Sequence, residues 1–164
     1  MPLLPSPCAV LARQFLPIIA QCAASTHAQA VLDFGPAFLP ERTGTGIRRI
    51  SPQTPKGLAE AGLAVSCFGL TLLSKESLAS LLGAMHAASP YVLLADFKVA
   101  ERNIEAPACL FMGGVRRLTA GEAGCFKAYG GLEGLLYAER ARFQPVERHS
   151  LFGGSLACAL VRSL

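Results

Sequence analysis

Two runs in this chain, Leu63-Ala64-Val65-Ser66-Cys67-Phe68-Gly69-Leu70 and Tyr91-Val92-Leu93-Leu94-Ala95-Asp96-Phe97, are apolar nearly throughout and do not alternate. A strand with one face in water alternates apolar and polar residues. A strand that is apolar on both faces has to be covered on both, as in a parallel sheet packed between helices. Two shorter runs, Ala30-Val31-Leu32-Asp33-Phe34-Gly35 and Ile47-Arg48-Arg49-Ile50, read as further strands. Ser74 is placed to cap a helix whose Leu78, Leu81, Leu82 and Met85 form one stripe, and Ser89-Pro90 stops it. Thr119 to Arg140 reads as a helix interrupted at Gly130-Gly131. Phe143 to Leu151 and Leu156 to Ser163, joined by Phe152-Gly153-Gly154-Ser155, form a hairpin. The order describes an α/β fold with a mainly parallel sheet and an antiparallel edge.

The 164 residues fit a single domain, 1–164, with an N-terminal helical arm over 1–28. Ser6 and Pro7 open that arm, it runs to about Thr26, and Pro17 kinks it. Hydrophobic residues make up 52% and charged residues 16%, which excludes a disordered chain. The apolar excess also points to surface hidden by a ligand or a second copy, so a homo-oligomer is expected. The net charge is +4, but the arginines are spread in pairs (Arg48-Arg49, Arg116-Arg117, Arg140 with Arg142). No basic stripe marks a nucleic-acid binder. Prolines 2, 5, 7 and 17 interrupt the apolar start, so neither a signal peptide nor a membrane span is expected. The six cysteines form no CxxC, and no His stands at ligand spacing beside them. They read as reduced, buried thiols of a cytoplasmic protein, with no metal site.

Ligands of open α/β sheets sit outside the carboxyl ends of the strands, where the strand order reverses. Asp33 and Asp96 stand at strand ends of that kind. His86, on a helical face, and His149, in a strand, have no acid or nucleophile beside them in sequence and read as structural.

Val31-Leu32-Asp33-Phe34-Gly35 resembles the opening of the first motif of class I S-adenosylmethionine-dependent methyltransferases. Leu63 to Leu73 is similar to that family's fourth strand and following turn, and Tyr91 to Lys98 to its fifth strand. Ala100-Glu101-Arg102-Asn103 is similar to the segment that follows in some small bacterial members. The resemblance implies a three-layer, mostly parallel Rossmann-like methyltransferase sheet with a C-terminal antiparallel hairpin, truncated in its N-terminal half. It implies S-adenosylmethionine as cofactor, held by Asp33, Gly35 and Phe68, and a small, rather apolar methyl acceptor. Asp96, Glu101, Arg102 and Asn103 would bound the acceptor site. The alternative readings are that Asp33 caps its own loop through backbone N–H groups, and that Asp96 is a carboxylate paired with Lys98 or Arg102.

Three departures weaken the cofactor site. Pro36 has no N–H to donate, and Phe38 fills loop space where the family has glycine. Arg49 stands where the family's second strand ends in an acid that accepts from the ribose hydroxyls, and Arg cannot accept a hydrogen bond. A crossover and its strand are missing between Pro52 and Leu63. These features predict a methyltransferase-like protein with an eroded cofactor site. The rival is a non-catalytic binding or assembly protein that retains the fold.

Overall fold

The computed structural model describes residues 11, 13–35, 48–50, 62–70, 73–97, 128–151 and 154–164. Within them lie β1 (Ala30–Asp33), β2 (Arg48–Ile50), β3 (Leu63–Cys67), β4 (Tyr91–Phe97), β5 (Phe143–Leu151) and β6 (Leu156–Ser163). Three helices accompany them: α1 (Leu16–Ser25), α2 (Lys75–Ala88) and α3 (Leu132–Ala138).

The strands form one sheet in the order β2-β1-β3-β4-β6-β5. β2, β1, β3 and β4 are parallel, and the β5–β6 hairpin joins β4 antiparallel through β6. This is the expected mostly parallel sheet with an antiparallel edge. Successive strands leave β1 toward opposite sides, β2 on one and β3 on the other, so the strand order reverses between β1 and β3.

β1, β3 and all of β4 after Tyr91 are buried, as strands covered on both faces must be. Alternate residues face two separate cores. Val31, Val65, Leu93, Ala95 and Leu160 pack beneath Phe15, Ile18, Ile19 and Cys22 at α1. Leu32, Ala64, Val92, Leu94 and Val161 pack beneath Leu78, Leu82 and Met85 of α2 and Leu132, Leu135 and Leu136 of α3. The three layers are therefore helix, sheet, helices.

Local signals fix several boundaries. The Ser74 hydroxyl accepts the Ser77 N–H at 3.3 Å and starts α2 at Lys75. At the other end, Ser89 adopts an extended conformation and the chain enters β4. Pro17 does not kink a long helix. Gln14 and Phe15 form a turn, and Pro17 lies in the first turn of α1, where its missing N–H costs nothing. β3 is shorter than the apolar run: Phe68 turns to φ +57° and ends it.

Candidate functional site

Asp33 ends β1 and is nearly fully buried. Its Oδ1 accepts the Gly35 N–H at 2.9 Å, closing a tight turn. Its Oδ2 lies 2.8 Å from Nε of Arg49 on β2, in an ion pair with side-chain exposures of 1% and 19%. The register explains the meeting. Val31 is the cross-strand neighbour of Arg49, and Asp33, two residues on, projects from the same face. Burial raises the Asp33 carboxyl above its ordinary value, against the lowering effects of the Gly35 N–H and the Arg49 guanidinium. Of the two readings of Asp33, the geometry shows the loop cap, and its second oxygen is paired with Arg49.

Gly35 passes close to β3. A Cβ there would lie 3.1 Å from Asp33 Oδ1 and from both the N and O of Cys67. The neighbouring Phe34 N–H continues the ladder to Val65 O at 2.8 Å.

Phe68 holds a left-handed backbone that is rare for a bulky residue. It is fixed by an N–H bond to Ala95 O and by edge and tilted contacts with Phe15 (5.8 Å) and Phe97 (4.9 Å). Its ring belongs to the core beneath α1. Asp96 is fully buried. Its Oδ2 accepts the Leu70 N–H at 3.0 Å and its Oδ1 the Phe97 N–H at 2.7 Å, so it ties the turn after β3 to the end of β4.

A cleft of about 600 Å³ opens on the α2 side, above the carboxyl ends of β1 and β3. Phe34, Gly35, Gly69, Leu73, Glu76, Ser77, Ser80 and Leu81 line it. Its place is the switch point that the topology marks for a ligand. Of the expected cofactor residues Gly35 lines the cleft, whereas Asp33 and Phe68 project toward the α1 side. Asp96 anchors the cleft's Gly69 loop from behind without lining the cleft. Glu101, Arg102 and Asn103, expected at the acceptor site, lie outside the described residues, as do Pro36, Phe38, Lys98 and the crossover segment after Pro52. Glu76, which sequence reading passed over, is the acid among the described cleft residues. Its own backbone N–H and the Ser74 hydroxyl hold its carboxyl below the ordinary value. Its position in the first turn of a capped helix was the signal available for it.

Compared with solved structures, the chain aligns with a mitomycin 7-O-methyltransferase, MmcR, over 92% of its length and 54% of that chain, at 15% identity and TM-score 0.57. It aligns with magnesium protoporphyrin IX methyltransferase (ChlM) from Synechocystis PCC 6803, with bound SAH, over 94% of its length and 84% of that chain, at 9% identity and TM-score 0.57. The methyltransferase domain of bacterial CtHen1 is covered to 99%, with 93% of this chain, at 14% identity and TM-score 0.56. The fold is the methyltransferase fold. It is the one that the resemblance to class I S-adenosylmethionine-dependent methyltransferases implied, and at these identities the likeness is one of fold. The chain spans about half the length of MmcR. No protein-family model matches the sequence, and no curated protein matches it.

The acid at the end of β1 is paired with Arg49 in β2, and neither strand offers the cleft a carboxylate among the described residues. No helix among the described residues is long and apolar enough to cross a membrane.

Cysteines 22, 67 and 158 are free and buried, as expected of reduced core thiols. Burial first, and then the Glu147 carboxylate, push the Cys22 thiol up to about 11. Burial also holds Cys67 and Cys158 well above the ordinary thiol value. His86 is structural as read: Nε2 lies 3.1 Å from Leu164 O, and the ring meets Phe143 edge-on. His149 is different. Its Nε2 lies 3.3 Å from Oε2 of Glu147, and Cys22 stands beside the pair, a neighbour 127 residues away that no local spacing reveals.

Proposed function

We propose that this chain is a methyltransferase-like domain that takes a small, largely apolar ligand in the β1/β3 cleft and holds S-adenosylmethionine weakly or not at all. The observation that carries this reading is the Asp33–Arg49 ion pair at 2.8 Å. The carboxylate expected to serve the cofactor is neutralised, buried and turned away from the cleft. The cleft lining supports the ligand class. Phe34, Leu73 and Leu81 offer apolar surface, while Ser77, Ser80 and Glu76 offer hydroxyls and one acid at its side. A small molecule rather than a nucleic acid is also supported by the dispersed arginines.

Losing the hydrogen bonds to two ribose hydroxyls costs about 2–4 kcal/mol, which lowers affinity roughly 30- to 1,000-fold. Titration calorimetry with S-adenosylhomocysteine is therefore expected to show no saturation at micromolar concentrations. Stoichiometric micromolar binding abolished by Asp33→Asn would overturn the reading and favour a working enzyme. That second reading is methyl transfer to a small apolar acceptor, and it is supported by the position of Gly35 in the cleft lining.

The reading extends to self-association, supported by the chain's mean hydropathy of +0.42 and by exposed Tyr137, Val146 and Leu164. Light scattering is expected to show a mass above 17.2 kDa. A cytoplasmic setting is supported by the free thiols.

A further inference from the structure

β5 is the edge strand of the sheet, and a one-residue irregularity between Pro145 and Glu147 resets its pairing with β6. Before it, Pro145 pairs with Val161, on the face covered by α2 and α3. After it, Glu147 pairs with Leu160 and His149 with Cys158, on the face covered by α1. Were Val146 to take a regular place in the ladder, Glu147 and His149 would keep the facing of Phe143 and Pro145 and point to the other core. The bulge thus re-aims an acid and a histidine, at i and i+2, toward Cys22 of α1.

The three side chains bring an oxygen, a nitrogen and a sulfur within 4.8 Å of one another. A tetrahedral zinc ion, with bonds of about 2.0–2.3 Å, holds its donors roughly 3.3–3.8 Å apart. The Glu147–His149 pair, at 3.3 Å, already has that spacing, and the remaining separations are no more than 4.8 Å. Cys22 is buried, whereas the side chains of His149 and Glu147 keep 24% and 33% exposure, so an ion can enter from the sheet edge. An ion pair explains the acid and the histidine together; it does not explain why a thiol completes a donor set.

We propose that Cys22, Glu147 and His149 bind a divalent transition metal, zinc by their donor types, in a three-donor site that clasps α1 to β5. The mixed sulfur, nitrogen and oxygen set suits zinc over magnesium or calcium, which take oxygen ligands. Binding releases the Cys22 proton to solvent and leaves one coordination position for water.

The test uses the full chain, freed of metal by a chelator and kept reduced. Zinc is titrated in competition with a chromogenic chelator, and cobalt(II) serves as the optical probe. One equivalent per chain is expected, with a thiolate-to-cobalt band in the near ultraviolet. Loss of even a residue that supports a metal ligand weakens such sites about 10- to 100-fold. His149→Gln and Glu147→Gln, both at partly exposed positions, are expected to weaken zinc at least that much, and Cys22→Ser to abolish the band. Absence of stoichiometric binding at micromolar zinc overturns the proposal, as does binding that survives both His149→Gln and Cys22→Ser. If Cys22→Ser does not fold, the two β5 variants decide the matter alone.

Discussion

Asp33 and Arg49 face each other across the β1–β2 ladder at 2.8 Å, the carboxylate 1% exposed and the guanidinium 19%. Each stands at a position where the resemblance places a cofactor contact, and the two form an ion pair instead. An acid at the end of β2 would have repelled Asp33 across the same ladder. An arginine there favours the buried carboxylate and itself offers no acceptor. The same pair that fastens β2 to β1 is the one on which the proposed weakness toward S-adenosylmethionine rests.

Arg49→Met is predicted to destabilise the fold. Removing one partner of a buried pair leaves the other charge uncompensated, at a cost of about 3–5 kcal/mol. The partial exposure of Arg49 puts the expected loss near the lower end. Urea unfolding measures it, and a loss below about 1 kcal/mol would show that the pair is not holding β2 to β1.

The pH dependence has a defined sign. Burial raises the folded-state pKa of Asp33 above the unfolded value of 3.8. The native state therefore holds the proton more tightly, and stability falls as pH rises from about 4 through the folded pKa. Below 3.8 the penalty vanishes. Arg49→Met removes a lowering influence and moves the window upward, so its destabilisation should shrink on acidification. Thermal melts of both proteins across the acidic range, with Asp33→Asn as the reference that lacks the titration, check this. Equal pH slopes in all three would refute it.

The parts of the fold that were legible rest on local physics. The Ser74 cap, the Ser89-Pro90 stop, the unbroken apolar run of β4 and the glycines between β5 and β6 specify their elements without knowledge of the rest. The ligand side of the sheet was legible too, because strand ends and strand order suffice to mark it. The ion pair was not, since it depends on the register of β1 against β2. The resemblance implied Phe68 as a cofactor residue, and nothing local announces that this phenylalanine is left-handed. Two aromatic neighbours from α1's approach and from β4 impose it. The Cys22–Glu147–His149 grouping requires both the hairpin's bulge and the seating of α1.

Two glycines in helices should respond oppositely to the same substitution. A Cβ at Gly83 of α2 meets nothing within 4 Å, so Gly83→Ala is predicted to stabilise by about 0.5–1 kcal/mol through lower unfolded-state entropy. A Cβ at Gly134 of α3 would overlap the Tyr129 carbonyl, so there the backbone must shift. Gly134→Ala is predicted to cost about 1–3 kcal/mol despite alanine's better helix propensity. Melting temperatures moving in the same direction would contradict the packing described for α3.

The last prediction separates a structural Asp96 from one that serves a substrate. Its carboxylate is fully buried and accepts two backbone N–H groups, from Leu70 and Phe97. Asparagine is nearly isosteric but offers one carbonyl oxygen and one NH₂ group. Whichever way the amide is turned, one backbone N–H meets another donor. Leaving such a buried group unsatisfied costs about 1–3 kcal/mol, and the bonds lost or weakened are the stronger, charge-assisted kind. Asp96→Asn is therefore expected to lower unfolding stability by that amount with no ligand present, and Asp96→Ala, which leaves both N–H groups without this acceptor, by more. Because the Leu70 bond anchors the loop carrying Gly69, hydrogen exchange should quicken at Leu70. A residue whose main task is to bound a substrate site would behave otherwise: Asp96→Asn would leave the unliganded melt unchanged and weaken only ligand binding.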